Sequence, residues 1–244
     1  MKILRAIYTG YGVVVFAVLF LLSLPFFLIP MIFKSAHPLI GIINRWWARL
    51  LFTLIAIPFK TEYRVRLDRR QKYIFCSNHF SYLDIPTMGL VRHNTVFVGK
   101  TSIEKIPLFG YMYGKLHITV DRSKLKSRYE SLKRSMAAID EGKSLVIYPE
   151  GGMVTKGEPV MGKFKDGAVR LAIEKQIPIV PVTIPYNWII LPAEEFLLNW
   201  HPLKVIFHEP IQTKGLTLDQ TEELKVRLFN TINAELKRHL NNEN

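Results

Sequence analysis

Residues 73–84 read Tyr73-Ile74-Phe75-Cys76-Ser77-Asn78-His79-Phe80-Ser81-Tyr82-Leu83-Asp84. The apolar run Tyr73 to Cys76 suits a short strand buried on both faces, as strands of a parallel sheet are. Polar residues take over at its end, and sites in open α/β sheets form at the carboxyl ends of strands. If a helix begins near Phe80, Asp84 lies just over one turn beyond His79. It then accepts from one imidazole nitrogen and leaves the other to take a proton from a hydroxyl. A histidine capping a helix, with an aspartate in the first turn, has the same spacing. The pair alone does not decide between them.

Outward from this stretch, short β-rich runs alternate with helical patterns. Glu62 to Leu67 alternates as a half-exposed strand does, and Val96 to Val98, Leu145 to Tyr148, Ile179 to Ile184 and Val205 to Phe207 read as further strands. Ser123 caps a predicted helix to about Ile139, ended by Gly142, and another helix lies around Ala168 to Glu174. Thr217 and Gln220 form a capping box ahead of Leu224, Leu228, Ile232 and Leu236, which share one helical face. The alternation predicts an α/β domain, a mixed, largely parallel sheet flanked by helices, over 61–244.

Residues 1–60 differ in kind. From Ala6 to Phe33 no residue is charged, which exceeds the roughly 20 residues that cross a hydrocarbon core. A signal peptide shares the basic start, Lys2 and Arg5, but its apolar region is shorter and ends at a small-residue cleavage site, which does not follow Phe33. A second apolar stretch, Pro38 to Phe59, carries Arg45 and Arg49 on one helical face beside Trp46, suited to an interface or to a core helix with a basic edge. Pro25 and Pro30 leave spanning and dipping into one leaflet both open. The segment is read as an N-terminal membrane-associated anchor, with the catalytic domain on the cytoplasmic face.

The 244 residues carry 33 Lys and Arg against 20 Asp and Glu, a net +13, and 49% of them are hydrophobic, which excludes a disordered chain. The net charge is +8 over 1–91, +7 over 92–175 and −2 over 176–244, a field that draws phosphate groups. One cysteine, Cys76, and no close histidine pair set aside disulfide scaffolds, zinc sites and redox motifs, so no metal is expected. Gly99-Lys100-Thr101 imitates the end of a phosphate-binding loop, but Asn94 stands where its first glycine belongs. Ser81 has no GxSxG elbow around it.

Four blocks in order then carry a resemblance. His79 and Asp84 within NHFSYLD resemble the HxxxxD motif of the glycerolipid acyltransferases, which include the 1-acylglycerol-3-phosphate acyltransferases. Phe97-Val98-Gly99-Lys100, Pro107 to Gly110 and Val120-Asp121-Arg122 are similar to that family's second motif. Tyr148-Pro149-Glu150-Gly151 resembles its Pro-Glu-Gly motif and Ile179-Val180-Pro181-Val182 its apolar proline motif. One departure stands out: Gly152 and Met153 follow the Pro-Glu-Gly where many members have Thr and Arg. Lys156, Lys163 or Lys165 offers a substitute cation, and each is equally a solvated surface lysine.

The resemblance implies His79 and Asp84 as catalytic residues and Arg122 as the phosphate ligand, with Glu150, Gly151, Lys100 and Asn78 as further substrate-binding candidates. Glu150 either hydrogen-bonds glycerol hydroxyls, organises the Gly151-Gly152 turn, or is structural. No cofactor is implied: acyl-CoA or acyl-carrier protein is the co-substrate, a lysophospholipid the acceptor, membrane phospholipids the surroundings, and phosphatidic acid the product. Acceptors with other head groups, a thioesterase or lysophospholipase using water, and a non-enzymatic protein gripping anionic bilayers or nucleic acid are the competing readings. The last explains the charge but not the ordered motifs, and no nucleic-acid-binding signature is present.

Overall fold

A computed structural model describes residues 2–153 and 159–241. Seven strands form one sheet: β1 (Phe59–Tyr63), β2 (Ile74–Ser77), β3 (Thr95–Lys100), β4 (Ile118–Val120), β5 (Ser144–Ile147), β6 (Ile179–Thr183) and β7 (Leu203–Phe207). Their order is β1-β7-β6-β2-β5-β3-β4, and every pairing is parallel except β6 with β7. The largely parallel α/β sheet expected from the sequence is present.

Residue alternation along the strands feeds two cores. Phe75, Val146, Val180 and Val182 point to one face, and Ile74, Cys76, Leu145 and Ile179 to the other. On the first face lie α2 (Pro38–Leu54), α3 (Asp84–Met88), α4 (Phe109–Leu116) and α7 (Asn187–Ile190), with α1 (Lys2–Ile32) outside them. On the second lie α5 (Leu125–Asp140), α6 (Gly167–Lys175) and α8 (Thr221–Asn241). β2 is buried at all four positions, so its polar neighbours begin at the edge of a dry core.

The connections explain where a site can form. From β2 the chain crosses past β5 to β3, whereas from β5 it crosses past β2 to β6. Adjacent strands whose crossovers leave in opposite directions open a crevice at their carboxyl ends. His79 follows β2 and Glu150 follows β5, so both stand at that crevice.

Helix α1 is long and apolar enough to cross a membrane, by length and composition. One side docks on the domain. Arg5 Nη2 meets Glu195 Oε2 at 2.6 Å, Tyr8 Oη donates to Ile55 O at 2.6 Å, and Phe16 packs edge-on against Trp47. Phe20 meets Phe109 of α4. The other side, including Ile7, Val14, Leu21 and Phe26, is exposed.

Several boundaries differ from the sequence reading. β1 starts at Phe59 and ends at Tyr63, because Glu62 to Leu67 leaves the sheet edge after its first two residues. Ser123 does not cap α5: its hydroxyl donates to Asp121 Oδ1 at 2.6 Å, and Lys124 holds the cap position. The Thr217–Gln220 capping box is present and leads through a 3₁₀ turn into α8. Strand β4 and helix α4 were not predicted.

Candidate active site

No helix begins at Phe80; α3 starts at Asp84, and residues 80–83 form a turn. The turn still brings the pair together. Asp84 is fully buried, and its Oδ2 accepts from Phe80 N at 2.7 Å, Ser81 N at 2.9 Å and His79 Nδ1 at 3.0 Å. Its Oδ1 accepts from Asn187 Nδ2 at 2.9 Å. Four donors compensate a buried carboxylate that would otherwise be very costly. An ionised carboxylate only accepts, so Nδ1 of His79 carries the hydrogen and Nε2 carries the lone pair. Among the described residues Nε2 has no hydrogen-bond partner.

Two further contacts fix the imidazole. The Tyr148 ring stacks on it, with centroids 4.1 Å apart and planes 22° from parallel. Glu150 Oε1 accepts from His79 N at 2.8 Å while Oε2 accepts from Gly162 N at 2.7 Å. Each Glu150 oxygen therefore holds backbone, which ties the β2 turn to the segment before α6. Burial raises the Glu150 pKa to about 7, against the two backbone donors and His79, which pull it down.

The Pro-Glu-Gly turn also gathers cations. Gly151 has φ +86°, a conformation side chains rarely adopt, and its N donates to Tyr148 O at 3.1 Å. A Cβ built on Gly151 would stand 3.8 Å from Arg122 Nη1 and 3.7 Å from Lys165 Cγ. Arg122, on the loop after β4, and Lys165 thus flank this turn. Burial lowers the Arg122 pKa, offset by Tyr113, whose hydroxyl occupies the space a side chain on Gly99 would need.

Other sequence candidates fare differently. Asn78 is fully buried, donating to Ile184 O at 2.9 Å and accepting from Ile184 N at 2.8 Å. Its amide joins the ends of β2 and β6. Lys100 ends β3, exposed, its backbone in register with Val120, two residues before Arg122. Lys163 is exposed, and Lys156 lies outside the described residues. Asn187 and the Gly162 amide were not singled out from sequence, and Tyr148 was named there only within the Pro-Glu-Gly block and at the end of a strand. Asn187 stands 103 positions from Asp84, and its one signal is its place just after a buried strand.

An acyltransferase family model matches residues 59–185. The chain is also 32% identical over 193 residues to a 1-acyl-sn-glycerol-3-phosphate acyltransferase of Haemophilus influenzae, covering 76% of each. This chain belongs to the acyltransferase family. It is 34% identical over 140 residues to the chloroplastic 1-acyl-sn-glycerol-3-phosphate acyltransferase BAT2 of Brassica napus. That match spans 57% of this chain and 40% of the plant protein, so this acyltransferase chain covers about two fifths of that relative's length. Its fold matches the crystal structure of the 1-acyl-sn-glycerophosphate acyltransferase PlsC from Thermotoga maritima. The TM-score is 0.81 at 19% identity, over 97% of this chain and 96% of that one.

Proposed function

We propose that this acyltransferase moves a fatty acyl chain from acyl-CoA or acyl-carrier protein to the free hydroxyl of a 1-acylglycerol-3-phosphate, giving phosphatidic acid. The observation that carries the reading is the His79–Asp84 contact, with Nδ1 at 3.0 Å from Oδ2 and Nε2 left without a partner among the described residues. Nε2 takes the hydroxyl proton as the oxygen attacks the thioester carbonyl. The new C–O bond forms, the C–S bond breaks, and the departing thiolate recovers the proton from the imidazolium. Asp84 holds the tautomer and stabilises that cation, and no covalent enzyme intermediate is needed. General-base assistance of this kind contributes roughly 10²- to 10⁴-fold. Holding two substrates in attacking geometry supplies the rest.

Arg122, beside Gly151, receives the acceptor phosphate, and Lys165 supplies the second cation in place of the arginine missing after Pro-Glu-Gly. Glu150 organises the turn, each of its oxygens holding a backbone N–H.

The protein acts at a membrane. Among the described residues nothing covers the apolar outer side of α1, and α1 is docked on the domain along much of its length, from Arg5 to Phe20. A helix so attached cannot cross a bilayer without drawing the domain in, so α1 and α2 lie in one leaflet.

The test is product analysis with a labelled acyl thioester and a panel of lysolipids in mixed micelles. Phosphatidic acid is the expected product. Free fatty acid formed at the same rate without any lysolipid would replace transfer by hydrolysis. Arg122→Ala is expected to raise KM for phosphate-bearing acceptors far more than for the thioester; equal increases would remove the phosphate role.

A further inference from the structure

At the opposite end of the sheet from His79 lies a second concavity, a cleft of about 840 Å³ lined by Arg64, Arg66, Arg69, Arg70, Arg92 and His93 among others. Its position follows from the topology. β1 runs against β2, so the loop after Tyr63 emerges at the end where β2 and β3 begin. β2 alone spans roughly 13 Å at 3.3 Å per residue, and the cleft and His79 lie beyond its two ends. An acyl thioester held in the cleft would have to pass through the core to reach His79.

The cleft is built for an anion. Arg64 is paired with Glu62 and Glu235, but among the described residues no carboxylate is within ion-pair distance of Arg66, Arg69, Arg70 or Arg92. Arg92 is held over the Tyr63 ring at 5.0 Å. The one acid lining the cleft, Asp68, has Oδ1 engaged by Arg70 N at 2.9 Å. His93 is 5% exposed, its Nε2–H donates to Asp68 O at 3.0 Å, and its Nδ1 is buried without a partner. Burial lowers the His93 pKa and the charges of Arg45 and Arg69 lower it further, against the Asp68 carbonyl, which marks the positive field here.

The cleft also adjoins the lipid-facing hairpin. Arg45 of α2 donates to Val91 O at 3.2 Å and Arg92 O at 3.3 Å. The outer stripe of α2 is Leu39, Ile42, Trp46, Leu50 and Leu54, all exposed, with Arg49 over the Trp46 ring at 5.7 Å. Where that stripe enters a leaflet, the neighbouring arginines stand at head-group level.

We propose that this cleft binds the phosphate of an anionic phospholipid, separately from the acceptor site, and so orients the enzyme on its bilayer. The proposal rests on the reading that α1 and α2 lie in a leaflet.

The test uses the full chain and sedimentation with vesicles of phosphatidylcholine alone or with phosphatidylglycerol, at low ionic strength. The wild type is expected to bind neutral vesicles and to bind anionic ones more tightly. An arginine near a charged surface is worth about fivefold, so Arg66→Gln/Arg69→Gln/Arg70→Gln is expected to lower the affinity for anionic vesicles on the order of 100-fold, leaving neutral binding and transfer in detergent unchanged. A control on the far face, Lys126→Gln/Arg128→Gln/Lys133→Gln, removes equal charge and is expected to lose much less. Equal loss in the control, or no loss in the cleft variant, overturns the proposal. So does loss of transfer in detergent, which makes the cleft a donor site, or binding of inorganic phosphate in calorimetry that matches the vesicle preference, which makes the ligand soluble. Failure of the wild type on neutral vesicles is a different result: it removes the leaflet reading itself.

Discussion

Asp84→Asn isolates the charge of Asp84 from its hydrogen bonds. Oδ2 receives three N–H groups, from His79, Phe80 and Ser81, whereas Oδ1 receives one from Asn187. The new amide therefore keeps its oxygen at the Oδ2 position and turns its NH₂ toward Asn187, whose buried Oδ1 is without a partner among the described residues and can accept after a side-chain flip that exchanges the Nδ2 hydrogen bond to Thr87 Oγ1 for this one. The tautomer of His79 survives, and what is lost is stabilisation of the imidazolium. Two charges about 4 Å apart at an effective dielectric of about 20 interact by about 4 kcal/mol. The remaining neutral hydrogen bond returns about 1 kcal/mol. A net loss of about 3 kcal/mol predicts a fall in kcat on the order of 10²-fold. The assay is the initial rate of thiol release and of labelled product, saturating in both substrates, with Tm measured alongside. A kcat within about twofold of wild type in a folded variant would refute the assignment of Asp84 as the electrostatic partner.

Glu150 gives stability a pH dependence of a definite sign. The folded protein holds its proton up to about 7 whereas the ordinary value is 4.5, so this group's contribution falls as pH rises between those values, by about 3 kcal/mol in all. The Tm of wild type relative to Glu150→Gln is therefore expected to drop from pH 5 to pH 8; a difference that rises or stays flat contradicts the burial argument. Gly151→Ala forces a Cβ into φ +86° without a clash, and the strain of about 1–2 kcal/mol is expected to lower Tm by a few degrees and raise acceptor KM through the Arg122 side. Unchanged Tm would mean that the turn relaxes freely.

The parts of this protein that were legible in sequence are those that repeat a local pattern. Apolar runs such as Ile179 to Ile184 marked the buried strands, and the Leu224-Leu228-Ile232-Leu236 stripe marked the last helix, because period and burial coincide there. β4 has only three residues and α4 eight, too short for periodicity to register. His79 and Asp84 were found by spacing, although the turn that joins them is not the helix the spacing was read on. Two supports around them were hidden for a common reason: Asn187 reaches the site from after β6 and the Gly162 amide from the segment before α6, and only the strand order brings them close. The part Asn78 plays between the ends of β2 and β6 was equally hidden, because its partner Ile184 stands 106 positions away.

The central claim is that the His79 imidazole removes the acceptor's proton. It is tested most directly by the rate of acyl transfer in His79→Ala with vesicle binding and Tm measured on the same preparation. The account predicts loss of transfer by roughly 10²- to 10⁴-fold or to background, with membrane binding intact and Tm little changed. Transfer at the wild-type rate in that variant would contradict it.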